Sequence, residues 1–465
     1  MTSPKFIFWF RQDLRLEDNP GLHYALSQGP VIPIFILDNK ISQGAASKVW
    51  LHHALKSLNQ SLEGKLHYYE GDSLTIIMDL VQQHQVKGVY WNRRYHPKEI
   101  QIDQSIKSWL LSHTIDCQSF KSSLLFEPWD YQRTTPYQVF TPFYKASLAL
   151  GTPRKPFKAA PSLKNLIKVK TSDLNFLPAH SWHKSVISFW KVGEQNAQQK
   201  LQDFCTHLLK GYAINRDQAA LYHTSRLSPH LHFGEISPYQ IWDTLDQESL
   251  EVRTDIEAFK RELIWREFCY YTLFYHPTLQ TENFNLKFNQ FKWQNNPILL
   301  KAWQQGKTGI PIVDAGMREL WKTGTLHNRV RMIVASFLVK NCLIHWTYGE
   351  QWFFDCLFDA DIASNAFNWQ WVSGTGFDAA PYFRIFNPVL QSQKFDANGA
   401  YIQYFVPELS QLPPPHLFAP WLAPKEILDK AKIILGQTYP FPIVDLSTSR
   451  KTALSSYKKI KNTSQ

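Results

Sequence analysis

The chain has 465 residues, 44% hydrophobic and 19% charged, which is enough for two or three globular domains and excludes a disordered protein. Its net charge of +11 favours a polyanionic partner such as nucleic acid. Five scattered cysteines without ligand spacing argue against a zinc or iron–sulfur site, and no apolar run approaches a membrane span, so a soluble cytoplasmic protein with reduced thiols is expected.

The N-terminus MTSPKFIFWFRQD carries no basic n-region followed by a long apolar run, so it does not read as a signal peptide. FIFWF (6–10), VIPIFIL (31–37), LHYYEG (66–71) and GVYWN (88–92) read as buried parallel strands. Helical patterns near 20–28, 46–62, 74–84 and 98–113 lie between them. This alternation predicts a doubly wound, Rossmann-like α/β domain over 1–130. No G-x-G-x-x-G follows the first strand, which disfavours a dehydrogenase.

Residues 131–195 lose periodicity and read as an interdomain linker. Within it TPRKPFKAAPSLKNLIKVKTS (152–172) holds six basic residues and no acid. From 196 to 445 the pattern is helical: Leu201, Phe204, Cys205, Leu208 and Leu209 share one face, and similar faces recur through 253–275, 297–322 and 327–345. The tail 446–465, with Arg450, Lys451, Lys458, Lys459 and Lys461 and no acid after Thr448, is expected to be disordered.

Three motifs carry candidate chemistry. TSRLSPHLHFGEIS (224–237) groups hydroxyls and Arg226 where a helix can begin, which suits either a phosphate cradle or an ordinary N-cap. ELIWREF (262–268) sets Glu262, Trp265 and Arg266 on one helical face, and HNRVRM (327–332) groups Asn328, Arg331 and Met332. Such residues can stack on a base and bond its edge, or can be an intrahelical ion pair with core packing. In SNAFNWQWVSG (364–374), two indoles and several amides crowd a short helix, although buried indole N–H and amide groups each need partners.

Together with WFRQDLRLEDNPGL, AWQQGKTGIPIVDAGMREL, HNRVRMIVASFLVK, FDADIASNAFNWQWVSGTG and DAAPYFRIFNP, these segments resemble the photolyase/cryptochrome flavoproteins, in order, to about residue 425. Within that family the chain is most similar to the class I cyclobutane pyrimidine dimer (CPD) photolyases of bacteria. The resemblance implies an N-terminal antenna domain and a C-terminal helical domain that binds FAD, active as FADH⁻, and UV-damaged DNA. It also implies a monomer.

Position by position, the resemblance assigns Tyr212 and the run Thr224, Ser225, Arg226, Leu227 and Ser228 to the FAD diphosphate and ribityl chain. It pairs Asp359 with Arg331 beside the flavin ring, with Asp361 next to them, and sets Asn365 at flavin N5. Trp369, Trp346 and Trp293 would form an electron chain to the surface. Trp371 and Trp265 would wedge against a flipped-out dimer, Glu262 and Asn328 would bond its edges, and Met332 would pack beside it. Flipping is expected from the general behaviour of photolyases. Arg216, Arg266, Arg329 and Gln391 are placed at the DNA.

Folate-binding relatives of this class have a Tyr-Glu pair, where this chain reads Tyr95-His96. That departure weighs against 5,10-methenyltetrahydrofolate as the second, antenna chromophore and leaves a deazaflavin, another pigment or an empty pocket open, with Asp13, Arg15 and 44–55 as candidate lining. A (6-4) photolyase would need a second histidine where Asn328 stands. A cryptochrome that senses blue light without repair is the remaining rival, against which the set Glu262, Trp265, Asn328, Met332 and Trp371 speaks.

Overall fold

The computed structural model describes residues 4–157, 162–169 and 176–462. Parts of the expected linker, 158–161 and 170–175, lie outside the described residues. The chain divides into two compact units. One comprises 1–211, 225–277 and 359–363, and the other 212–224, 278–358 and 364–465. The cut expected at 196 thus falls inside the first unit.

The first unit is built on a five-stranded parallel sheet: β1 Lys5–Phe10, β2 Val31–Asp38, β3 His67–Gly71, β4 Val86–Asn92 and β5 Asp116–Phe120. The strand order is β3-β2-β1-β4-β5. Four strands match the apolar runs. β5, DCQSF, was not anticipated, because an edge strand with one buried residue has no hydrophobic signature. Helices α1 Pro20–Gln28, α2 Ala45–Ser61, α3 Ser73–His84 and α4 Pro97–Ser112 make the crossovers. Asn19 caps α1 by accepting from Leu22 N, Pro20 stands in its first turn, and Asp72 caps α3 by accepting from Thr75 N. Ile7, Trp9, Ile32, Ile34, Ile36, Val89 and Trp91 fill the core with Ile77, Leu80, Ile106 and Leu110 from the helices.

Residues 225–277 belong to this unit because buried polar groups tie them to the sheet layer. Arg15 Nη1 donates to Gly234 O (2.9 Å), Trp50 Nε1 to Glu235 Oε1 (3.3 Å) and Tyr239 Oη to Leu124 O (2.7 Å). Pattern reading registers apolar periodicity and does not register such bonds.

The second unit is helical. The long face expected over 297–322 is two helices, Pro297–Gln304 and Pro311–Thr323. Gly306 and Gly309, both at positive φ, and Pro311 break it. Asn328–Ser336 passes into a π-helical turn, Phe337–Asn341, followed by Trp346–Cys356, Ile362–Ser373 and Pro388–Phe395.

The tail expected to be disordered is instead a helix, Leu446–Asn462. Ala453 and Ile460 are buried, and with Tyr457 they pack on Phe288, Phe291, Leu343 and Tyr382. An i, i+4, i+7 apolar stripe outweighs the basic composition of the opposite face.

Candidate cofactor and nucleic-acid site

The crowding in SNAFNWQWVSG has a packing explanation. On helix Trp346–Cys356, Trp346, Gly349, Glu350 and Phe353 recur at i, i+3, i+4, i+7 and form its buried face. Trp369 lies against that face. A Cβ on Gly349 would stand 2.1 Å from Trp369 Cη2, so only glycine admits the indole. Phe353 and Trp303 meet the Trp369 ring edge-on, at 5.0 and 6.1 Å between centroids. Gln370, between the two indoles, is a structural clamp: its amide donates to Leu279 O (2.7 Å) and Glu282 O (2.8 Å) and accepts from Phe284 N (3.1 Å).

One turn before Trp369, the buried Asn365 donates from Nδ2 to Glu350 O (3.0 Å) and Glu350 Oε1 (2.9 Å). Burial pushes the Glu350 carboxyl up to about 7, against the amides of Gln280 and Asn365, which favour its charged form.

The three assigned tryptophans grade outward. Trp369 and Trp346 are buried and Trp293 is partly exposed. Trp346 belongs to the helix whose Gly349 receives Trp369, and its Nε1 donates to Asn283 Oδ1 (2.7 Å). His345 bridges outward, with its ring 5.6 Å from that of Trp346 and 5.1 Å from that of Trp293. Gly349, Glu350, Asn283 and His345 escaped the sequence reading, although the i, i+3, i+4 spacing within WTYGEQWF marks the first two.

Elsewhere in this unit, Arg329 Nη2 donates to Asp217 Oδ2 (2.5 Å) and Nη1 to Met332 Sδ (3.8 Å), and the guanidinium lies 4.4 Å over the Phe395 ring. Arg216 lies 5.4 Å over the ring of the buried Tyr212, and Ala219 N donates to Phe395 O (2.9 Å). The structure thus gathers Arg216, Arg329, Met332 and helix 388–395, which carries Gln391. Asn328 is exposed, and Arg331, Met332, Trp371 and Gln391 are half-buried. Arg331 Nε donates to Leu326 O (2.8 Å). His327 caps its helix by accepting from Arg329 N, and burial pushes its imidazole down to about 4 in spite of Asp217.

In the first unit, Glu262 and Trp265 sit half-buried on helix Arg253–Tyr275, and Trp265 stacks flat on Phe140 with centroids 3.5 Å apart. Arg266, expected at the DNA, is half-buried. Its Nη1 donates to Ser123 O (2.7 Å), and its side chain is 14% exposed because the neighbouring carboxylates Glu267 and Asp361 draw it down. Asp361 is buried. Although burial opposes its charge, His232, Arg266 and the Tyr270 hydroxyl hold it well below the usual carboxylate range. His232 Nδ1 stands 3.9 Å from Asp361 Oδ2. Asp359 is half-buried.

Arg226 adopts φ 52 and lies 4.4 Å over the Trp190 ring. Leu227 is buried, its N donates to Ser225 Oγ (3.4 Å), and Ser228 opens helix Ser228–Phe233. Thr224 ends the neighbouring segment of the second unit and is half-buried.

A cleft of about 530 Å³, counting its open mouth, lies at the carboxyl ends of β1 and β2. Trp9, Arg11, Gln12, Phe35, Asp38 and Leu51 are among the residues that line it. Asp13 and Arg15 do not. Asp13 accepts from Arg11 N (2.6 Å), and Arg15 is consumed by Gly234 O, Asp18 O and Ser122 Oγ. Tyr95 donates to Glu127 Oε1 (2.8 Å), away from the cleft.

Two family models match the chain: "DNA photolyase" over residues 6–162 and "FAD binding domain of DNA photolyase" over 259–459. The chain is 46% identical to a deoxyribodipyrimidine photo-lyase of Agrobacterium fabrum, over 99% of both chains. It is 35% identical to cryptochrome-1 of Arabidopsis thaliana, over 96% of this chain and 69% of that protein. Its fold matches the crystal structure of a bacterial class III photolyase from Agrobacterium tumefaciens with a TM-score of 0.94 and 44% identity, over 99% of this chain and 98% of that one. The α/β sheet with its helical companion and the tryptophan-lined seam define a photolyase-type flavoprotein architecture. The chain belongs to the photolyase/cryptochrome family.

Among the described residues no helix is long and apolar enough to cross a membrane, and no cluster of three or more metal-ligating side chains occurs.

Proposed function

We propose that this protein is a deoxyribodipyrimidine photo-lyase that uses blue or near-ultraviolet light to split cyclobutane pyrimidine dimers in UV-damaged DNA. The observation that carries the reading is the graded line Trp369, Trp346, His345, Trp293, which begins one helical turn from Asn365 and ends at a partly exposed indole. Indoles can be transiently oxidised, and such a line lets them recharge a buried acceptor from the surface.

The residues fit FAD as that acceptor. The run 224–228 offers three hydroxyls and a guanidinium at a turn, which suits a diphosphate. Asn365 offers an amide oxygen that receives no hydrogen bond from any described residue, which suits a flavin ring edge. When bound and reduced, FAD supplies the electron that opens the cyclobutane ring and receives it back, without net redox change. Glu262 stabilises charge on the extruded dimer, Trp265 and Trp371 wedge against it, and Asn328 and Met332 complete the contact. Trp265 is pre-positioned for this by its stacking on Phe140.

Arg216, Arg329 and Gln391 track the phosphate backbone, and binding there weakens with salt. The neutral His327, used as a helix cap, and Asn328 beside it leave no proton donor of the kind a (6-4) lesion needs, which supports the CPD reading. Within the family we infer class III over the class I expected from sequence, because the likeness to the Agrobacterium class III structure covers nearly all of both chains.

The cleft beside β1 and β2 is the place for a second chromophore. Trp9 Nε1, Arg11 Nε, Gln43 Oε1 and Ser73 Oγ in its wall are buried without hydrogen-bond partners. Such a wall suits a polar fused ring, a folate or a deazaflavin alike.

The test is illumination of pre-reduced protein with an oligonucleotide carrying one defined CPD, beside a dark control. Light-dependent loss of the dimer is expected, and the absence of repair with fully reduced flavin sinks the reading. Glu262→Ala should lower the yield per photon roughly tenfold or more while damaged-DNA affinity stays within about twofold.

A further inference from the structure

Helix Leu446–Asn462 presents two surfaces. On its inner side Ala453 and Ile460 are buried, and Tyr457 stacks on Tyr382 and Phe288, with ring centroids 4.9 and 6.0 Å apart. Asn341 Nδ2 donates to Ser449 Oγ (2.9 Å), which fixes the helix at its first turn. At about 100° per residue, Arg450, Lys451, Lys458 and Lys461 fall together on the flank beside Tyr457, and all four are exposed. The segment that Tyr457 meets adds Lys287 and Lys292, also exposed, on either side of Phe288 and Phe291. Neither residues 284–293 nor the helix contains an acid, and the nearest acids in sequence are Glu282 and Asp445.

Trp293 stands at the edge of the same patch. It packs on the cluster of Phe288, Phe291, Leu343, Tyr382, Ala453 and Ile460, its ring 4.4 Å from that of Phe291. It is also the partly exposed end of the tryptophan line. We propose that the basic flank of helix 446–462, with Lys287 and Lys292, is a docking surface for a small anionic one-electron donor that delivers its electron to Trp293. The inference rests on the reading of Trp369, Trp346 and Trp293 as an electron line. When light draws an electron inward along that line, the outermost indole is left as a radical cation. One electron from the donor restores the indole, the donor departs oxidised by one electron, and no covalent bond or proton moves. The cations around Trp293 act twice in this exchange. They raise the energy of the indole cation, which favours its reduction, and they concentrate anions while repelling cationic donors. A DNA duplex would be drawn to the same charge, but only a reductant makes use of the indole beside it.

The test follows decay of the indole radical by transient absorption after a light pulse, in protein holding oxidised FAD. The donor is either hexacyanoferrate(II), an anion, or neutral hydroxymethylferrocene. In the parent, the second-order rate with hexacyanoferrate(II) should fall steeply with added salt, and the rate with the ferrocene should not. Lys458→Glu/Lys461→Glu should slow hexacyanoferrate(II) about tenfold and leave the ferrocene within about twofold. A parental rate with hexacyanoferrate(II) in the variant, or an equal loss with both donors, overturns the docking surface. Repair by pre-reduced protein and damaged-DNA affinity should stay at the parental level. A weakened affinity would make the flank a DNA contact and overturn the inference as well.

A measurement in the dark separates the inference from the functional reading. Hexacyanochromate(III) is anionic, paramagnetic and redox-inert, and it should broaden the Trp293 indole N–H resonance in the parent but not in Lys458→Glu/Lys461→Glu. Equal broadening in both, or none in either, defeats the docking surface whatever the light response. Protein that binds flavin but yields no indole radical would instead defeat the electron line on which the proposal stands. Both lysines lie outside the buried face of Ala453 and Ile460, so the substitutions leave the helix packed. Should the charge-reversed protein still not fold, Lys458→Gln/Lys461→Gln should give an intermediate loss with hexacyanoferrate(II), and a parental rate there overturns the proposal.

Discussion

The cleft beside β1 and β2 and the seam between helices 346–356 and 362–373 are built on opposite principles. The cleft is open to solvent and keeps buried polar atoms without partners in its wall, as a receptor for something from outside does. The seam is filled: an indole rests on a glycine, an amide spends both its hydrogens on one glutamate, and a glutamine clamps a loop. A site that only receives can stay open and tolerate change. One that must hold aromatic rings at fixed separations and a single amide orientation must be packed, because small displacements there alter function.

The sharpest way to break this contrast is Gly349→Val. Its Cβ would fall 2.1 Å from Trp369 Cη2, and Phe353 and Trp303 block retreat of the ring. We expect a loss of about 3 kcal/mol or more, with weak flavin retention, read by thermal unfolding and visible absorbance.

A smaller effect concerns the misfit that the filled unit carries. Lys340, in the π-helical turn, is buried, and its Nζ donates to Arg384 O (3.0 Å) with the Tyr382 ring 5.4 Å away. Burial, with Arg384 adding to it, pushes the ammonium down to about 7. The native state then holds fewer protons than the unfolded chain between about pH 7 and the ordinary lysine value of 10.5, so this group makes stability rise with pH across that window. Lys340→Met should flatten that rise and stabilise the protein at pH 6 by roughly 1–2 kcal/mol. An equal gain at pH 6 and pH 10 would contradict the assignment.

The smallest change in stability is expected in the open region. Ile41→Trp, at the cleft wall, should shift unfolding by no more than about 0.5 kcal/mol. It should also exclude the second chromophore and leave repair by FAD-absorbed light intact. Loss of stability comparable to Gly349→Val would show that the cleft is packed after all.

Much of this was legible in the primary structure. Continuous apolar runs between helical patterns placed four strands and four helices within a residue or two, since a strand buried on both faces has no alternative composition. The family motifs pointed to Trp346, Asn365 and Trp369, which the structure brings to one seam. Three features were not legible, because each depends on what a segment packs against. β5 lies at an edge, where one buried residue suffices. The basic tail became a helix because Ala453, Tyr457 and Ile460 found an aromatic surface. Arg266 carries a hydrogen bond to Ser123 O and lies beside the Asp361 and Glu267 carboxylates, partners distant or unmarked in any local pattern.

By itself, then, the order of residues determined four strands of the sheet, the helical character of the second unit and, through its motifs, the family, since periodicity and motif order are local quantities. Only the tertiary structure decided which end of Asn365 is spoken for, which glycine makes room for Trp369, and which carbonyl takes the Arg266 guanidinium. Hydrogen-bond partners and steric clearance are set by residues distant in the chain, and no local pattern encodes them.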